Sequence, residues 1–310
     1  MRVVFCGTPE FAVPSLEALL AGGHDVPLVI AQPDRPVGRK QVVTAPAVKQ
    51  AAVAAGIAVA QPEKLRNNAE LEAQLRALAP DAIVVVAYGR IIPQWMLTLP
   101  RFGNINVHAS LLPKYRGAAP IQWALANGET ETGVTTMLLE EGLDTGPILQ
   151  QKVLQIGESE TAVELSPRLA AAGAQLLLTT LQGLERGNIK PIRQDDARAT
   201  LAPLLQREDG RVNFQRTALE IYHRWRGFQP WPGAFAFLDE EKIALSKIRP
   251  ATRAIEGPAG SLEARDGRLF AACGGHTSLE LLEVQPAGGR AMTVAEFLRG
   301  HKLPAGARLK

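Results

Sequence analysis

The run DAIVVVA, residues 81–87, constrains this chain more than any other segment. Its centre, Ala82 to Val86, is apolar without alternation, so a strand built from it must be covered on both faces. Such a strand belongs in a parallel sheet flanked by helices. The sequence around it repeats the arrangement. Residues 2–6, 26–31, 58–60 and 104–108 are short strand-like runs, and residues 11–21, 47–55, 69–78 and 118–126 have the Ala, Leu, Glu and Gln content of helices. This alternation predicts a doubly wound, Rossmann-like α/β domain with a parallel sheet over residues 1–190, ending in a helix at about 162–186. Residues 191–206, with two prolines and the polar run from Arg193 to Arg198, read as a linker. From residue 207 the pattern becomes one helix, 217–225, then short runs broken by Gly and Pro, which predicts a small β-barrel, OB-like, over 207–310.

With 310 residues, 46% of them hydrophobic, the chain can bury two cores. Its net charge of +3 does not by itself announce nucleic-acid binding. Residues 1–206 carry 18 basic and 19 acidic side chains, whereas 207–310 carry 16 and 12, so the last third holds the positive excess. Two cysteines, Cys6 and Cys273, make neither a disulfide framework nor a metal cluster and read as buried thiols. No metal site is expected. The N-terminal sequence has no secretory leader pattern, and no apolar run is long enough to span a membrane. The expectation is a soluble, cytoplasmic protein without membrane contact, monomeric by default.

Chemistry concentrates in GNINVHASLLPKYRG, where Ile105 and Val107 alternate with Asn106 and His108. Period two places Asn106 and His108 on one face at a strand's carboxyl end, where doubly wound sheets bind ligands. An amide donor beside an imidazole suits an oxygen that becomes negative during acyl transfer, although a histidine capping the next loop is an equally good reading of the pair. Asp144 lies between glycines in GLDTG, which can present a carboxylate to a cleft or form an ordinary Asx turn. The first loop, CGTPEF, lacks G-x-G-x-x-G, so a dinucleotide site is disfavoured. The loop QPDRPVGRK carries Arg35, Arg39 and Lys40, and HRWRGFQPWPGAF interleaves Arg224 and Arg226 with aromatics. Both can serve RNA phosphates and bases, and both also fit an exposed loop and buried core tryptophans.

Taken as an ordered set, FCGTPEFAVPSL, QPDRPVGR, VVVAYGRIIP, GNINVHASLLPKYRGAAPIQWAL, ETGVTTM, GLDTG, REDGRVNF, FQPWPGAF and VQPAGGRAMTVAEFLRG resemble the methionyl-tRNA formyltransferase family over nearly the whole chain. The resemblance implies a formyl group moved from 10-formyltetrahydrofolate to an initiator methionyl-tRNA, with Asn106, His108 and Asp144 catalytic. It implies folate contacts at Ser110, Leu111, Leu112 and Pro113 and near Tyr88, Ile91 and Ile92. It also implies tRNA contacts at Arg35, Arg39, Lys40, Arg224 and Arg226. Two positions depart from the family's habit: the loop after Lys40 reads QVVTAP without further lysines, and Leu204 stands where a lysine is common. Related formyltransferases act on glycinamide ribonucleotide or an amino sugar, and a noncatalytic RNA-binding protein is the reading from another class. The basic tail argues for tRNA, and the intact Asn, His and Asp argue for catalysis.

Overall fold

The computed structural model of the chain describes residues 1–38 and 41–310. In chain order its elements are β1 (Arg2–Gly7), α1 (Val13–Ala21), β2 (Asp25–Ile30), β3 (Arg35–Val37), β4 (Val42–Thr44), α2 (Ala47–Ala54), β5 (Ala58–Ala60), α3 (Ala69–Leu78), β6 (Ala82–Val86), α4 (Gln94–Leu97) and β7 (Asn104–His108). There follow α5 (Pro120–Ala126), β8 (Glu131–Leu138), β9 (Ile148–Gln155), α6 (Ala162–Glu185), α7 (Ala218–Gly227), β10 (Phe235–Leu238), β11 (Glu241–Pro250), β12 (Leu262–Arg265), β13 (Arg268–Cys273), β14 (Thr277–Pro286), β15 (Met292–Thr293) and α8 (Val294–Gly300). Local chemistry sets several of these starts. Thr217 and Thr293 each accept from the backbone of a Glu three residues on, and that Glu bonds back to the threonine N–H, so α7 and α8 open with capping boxes. Asn68 caps α3 by accepting from the Leu71 N–H at 3.0 Å.

The chain divides into two compact units that are discontinuous in sequence. The first comprises 1–120, 131–155 and 166–203. Its sheet has the order β5-β2-β1-β6-β7-β8-β9. The pairs among β5, β2, β1, β6 and β7 are parallel, and β8 and β9 continue the sheet antiparallel. Period two splits the strands between two cores. Val3, Phe5, Val84, Val86, Ile105 and Val107 pack on one face, and Val4, Cys6, Ile83, Val85 and Tyr88 on the other. The order reverses between β1 and β6, and in sheets of this kind ligands bind outside the carboxyl ends of the strands at such a switch point, here β1, β6 and β7. Residues 191–203, read from sequence as linker, are bonded into this unit. Ile148 and Ile192 exchange backbone bonds of 2.8 Å, and Arg116, Ala119, Thr200 and Ala202 form a short ladder. Pro191 and Pro203 fit an extended strap, a conformation proline tolerates.

The second unit comprises 121–130, 156–165 and 204–310. Its antiparallel sheet has the order β10-β11-β14-β13-β12, with β15 against β14. The outer strands both bond to the C-terminal residues: Phe237 exchanges backbone bonds with Lys310, and Leu262 and Gly260 pair with Ala307 and Leu309. The ladder therefore returns on itself, which removes open edges. Its core gathers Phe214, Ile221, Leu245, Ile248, Leu279, Leu281 and Phe297. No helix among the described residues is long and apolar enough to cross a membrane.

Candidate active site

The polar side chains at the carboxyl end of β7 arise from the period of the strand. Ile105 and Val107 enter one core, so Asn104, Asn106 and His108 face the other side. Asn104 is tied down, donating to the carbonyl of Met96 at 2.8 Å. Asn106 is 8% exposed, and among the described residues its amide has no side-chain hydrogen bond, so its donors remain available to a ligand.

His108, also buried, is held from one ring nitrogen and faces a carboxylate with the other. Nε2 lies 2.9 Å from the carbonyl of Tyr115. A carbonyl only accepts, so Nε2 carries the proton and Nδ1 is the nitrogen free to exchange one. Nδ1 faces Asp144 Oδ2 at 3.7 Å, too far for a direct bond and wide enough for a bridging polar atom. The same Oδ2 accepts from the Gly117 N–H at 2.8 Å. Asp144 occupies the left-handed region, φ 51°, a conformation Asp tolerates but which the surroundings must hold. Two glycines build the frame. Gly117 has φ 121°, and a Cβ there would sit 2.7 Å from the carbonyl of Ala202. A Cβ on Gly146 would collide with the carbonyl of Leu138.

The string Ser110 to Pro113 is fixed rather than loose. Ser110 Oγ donates to the carbonyl of Lys114 at 2.6 Å, and Thr135 Oγ1 donates to the carbonyl of Ser110 at 2.6 Å. The Leu112 N–H reaches Thr135 Oγ1 at 3.2 Å, and Gln151 Nε2 donates to the carbonyl of Leu112 at 2.9 Å. Ser110 and Leu112 are buried, while Leu111 and Pro113 keep part of their surface. Tyr88 is a core residue, packed with Val4, Cys6 and Leu28, so its ring does not face a cleft. Its carbonyl instead accepts from Thr8 Oγ1 at 3.1 Å and Gln32 Nε2 at 2.8 Å, which ties the loops after β1, β2 and β6 together. Burial pushes the Tyr88 phenol and the Cys6 thiol up, so neither ionises near neutral pH. Ile92 is buried, whereas Ile91 stands 90% exposed beside the strand ends.

Of the residues read as basic contacts, Arg35 is exposed in β3, and Arg39 and Lys40 lie outside the described residues. Arg224 lies over the rings of Trp123 and Phe228, 5.6 and 4.7 Å from their centroids, and keeps part of its surface. Arg226 is different: the residue is only 2% exposed, and its guanidinium donates to the carbonyls of Gly157 and Glu160 at 3.0 and 3.1 Å. It braces the second unit internally and has no face for a phosphate, a correction to the reading from sequence. Sequence reasoning missed Gly117, Tyr115, Thr135 and Gln194. Tyr115 and Gly117 had only their nearness to the SLLP string as a signal, and Thr135 and Gln194 had nothing local at all.

The geometry has counterparts among known proteins. Residues 1–181 match the family described as formyl transferase, and residues 204–302 its C-terminal domain. A methionyl-tRNA formyltransferase of Acidobacterium capsulatum is 60% identical, covering 100% of this chain and 99% of the relative. One of Caldanaerobacter subterraneus is 46% identical over 100% of both chains. Among solved structures, an N-formyltransferase from Helicobacter canadensis, in complex with folinic acid and dTDP-3-aminofucose, aligns with a TM-score of 0.66 at 19% identity, over 91% of this chain and 98% of that one, and so shares the fold. With full-length identity at this level and both domain families matched in order, the chain belongs to the methionyl-tRNA formyltransferase family.

Proposed function

We propose that this chain transfers the formyl group of 10-formyltetrahydrofolate to the α-amino group of an initiator methionyl-tRNA, with Asn106, His108 and Asp144 as the catalytic set. The observation that carries the site assignment is the convergence of an amide without a side-chain partner, an imidazole of defined tautomer and a carboxylate at one strand end. Esterification pulls the pKa of this amine below the ordinary α-amino range of about 7.7 to 8.0, so much of it is neutral at pH 7 and no strong base is needed to free it. It attacks the formyl carbon, forming an N–C bond as the bond from that carbon to the folate nitrogen breaks. Asn106 donates to the oxygen that gains charge. His108 Nδ1 takes the amine proton and returns it to the departing nitrogen, with the Asp144 carboxylate facing the imidazolium between those steps.

The residues present fit a formyl folate: an amide donor, a shaped wall from Leu111, Pro113, Ile91 and Ile92, and rigid backbone at 110–113. For the tRNA, the exposed Arg35, Arg211 and Arg216 and the part-exposed Arg224 supply phosphate partners, with Arg39 and Lys40 as further candidates. The same reading puts the protein in the cytoplasm with charged tRNA, acting as a monomer. Purified protein with 10-formyltetrahydrofolate should formylate methionyl-tRNA and leave glycinamide ribonucleotide untouched. The reverse preference would assign it to small amines.

A further inference from the structure

Gln194 is 6% exposed, and all its polar atoms are engaged. Its Nε2 donates to the carbonyls of Asp144 at 2.7 Å and Gly146 at 2.8 Å. Its Oε1 accepts from Arg116 Nε at 3.0 Å and Nη2 at 2.8 Å. Arg116, itself buried, is anchored from outside by Asp196 Oδ1 at 2.8 Å. The strap continues to Thr200, whose Oγ1 accepts from the Tyr115 N–H at 2.8 Å, and whose carbonyl accepts from the Arg116 N–H at 2.8 Å. Thus residues 194–200 hold the acid through the backbone of its loop and the histidine through the peptide whose carbonyl receives Nε2–H. Asp144 holds a left-handed φ, and the carbonyls that Gln194 binds belong to that turn and the glycine two residues on.

We infer that Gln194, set by Arg116, is a positioning residue for formyl transfer: it fixes the Asp144 carboxylate opposite His108 Nδ1. The inference rests on the reading of Asp144 as catalytic. A donor removed here lets the loop shift, and a displacement of about 1 Å in a catalytic group costs on the order of 10²-fold in rate. Gln194→Ala should therefore lower kcat about 10- to 100-fold while KM for both substrates stays within about twofold. Gln194→Glu keeps the shape and the Arg116 contact but loses both donations, so it should not rescue.

The decisive measurement is a double-mutant cycle with Asp144→Asn, run beside thermal melts of each full-length variant. If Gln194 works through Asp144, the loss from Gln194→Ala shrinks to about twofold or less in the Asp144→Asn background. A full, multiplicative loss there overturns the inference while leaving Asp144 catalytic. Wild-type rates for Asp144→Asn alone would instead overturn the reading on which it rests. Should Gln194→Ala fail to fold, Asp196→Ala loosens the same clamp from its exposed end. It should cost about two- to tenfold in kcat with the same non-additivity, and an additive loss would again count against the clamp.

Discussion

At the scale of single residues, the site divides into groups that meet the reacting atoms and groups that hold them. His108→Ala and Asn106→Ala should each lower kcat by roughly 10² to 10⁴ with tRNA binding nearly unchanged, because Asn106 meets charge that develops only in the transition state and His108 moves a proton only during the reaction. Steady-state kinetics with separately measured tRNA binding checks this, and a raised KM at constant kcat would reassign either residue to binding. Gly117 offers a test of the frame. An added methyl group meets the Ala202 carbonyl at a positive φ, so Gly117→Ala should cost about 2 kcal/mol of stability and displace the N–H that Asp144 accepts. Urea unfolding and activity should fall together. Asn106 and His108 were legible in the sequence because strand period two and a following loop define a face. Gly117 and Gln194 were not, because their partners, Ala202 and Asp144, lie far along the chain, and no local pattern encodes such a pairing.

At the scale of elements, the five parallel strands and their flanking helices were readable to within a residue or two, since apolar two-faced runs admit few alternatives, whereas β3, β4, α4, β8 and β9 had no counterpart in the reading from sequence. β8 escaped because ETGVTTML mixes three threonines, a glycine and a glutamate with its apolar residues, a composition that signals no buried strand and no direction of pairing. The second unit carries one element-level device with a pH signature. Glu280 on β14 is buried and bonded by Arg268 from β13 at 2.7 Å and by Arg249 from β11 at 2.8 Å, stapling the centre of the sheet. The Arg268 bonds foremost, then Arg249, hold its carboxyl down from the usual 4.5 to about 2. A depressed native value means the stabilisation is complete above the ordinary carboxylate range and is lost as pH falls from about 4.5 toward 2. Glu280→Gln should therefore cost about 2 to 3 kcal/mol near neutrality, seen as faster amide exchange in β11, β13 and β14. The gap to wild type should close as the pH is lowered through that window. A gap that widened on acidification would reverse the assignment.

At the scale of the whole molecule, charge and continuity decide what can be tested. The excess of positive charge in 207–310 implies tRNA affinity that falls with salt, the slope counting the phosphates engaged. Arg211→Ala and Arg216→Ala should each reduce that slope by about one unit and weaken binding alike across tRNA sequences. An unchanged slope would move the phosphate contacts elsewhere. Removing 207–310 altogether is a poorer test. The second unit includes 121–130 and 156–165, and Trp123 packs edge-on against Phe228 with centroids 5.4 Å apart, so truncation strips those segments of partners. That interleaving was invisible from sequence, where a change in pattern at residue 207 looked like a clean boundary. The measurement that bears most directly on the central claim is single-turnover formylation of methionyl-tRNA from 10-formyltetrahydrofolate by wild type and His108→Ala side by side. Wild type should yield formylmethionyl-tRNA, and the variant should do so at a rate about 10³-fold lower. Equal rates, or formylation of glycinamide ribonucleotide in place of methionyl-tRNA, would contradict that claim.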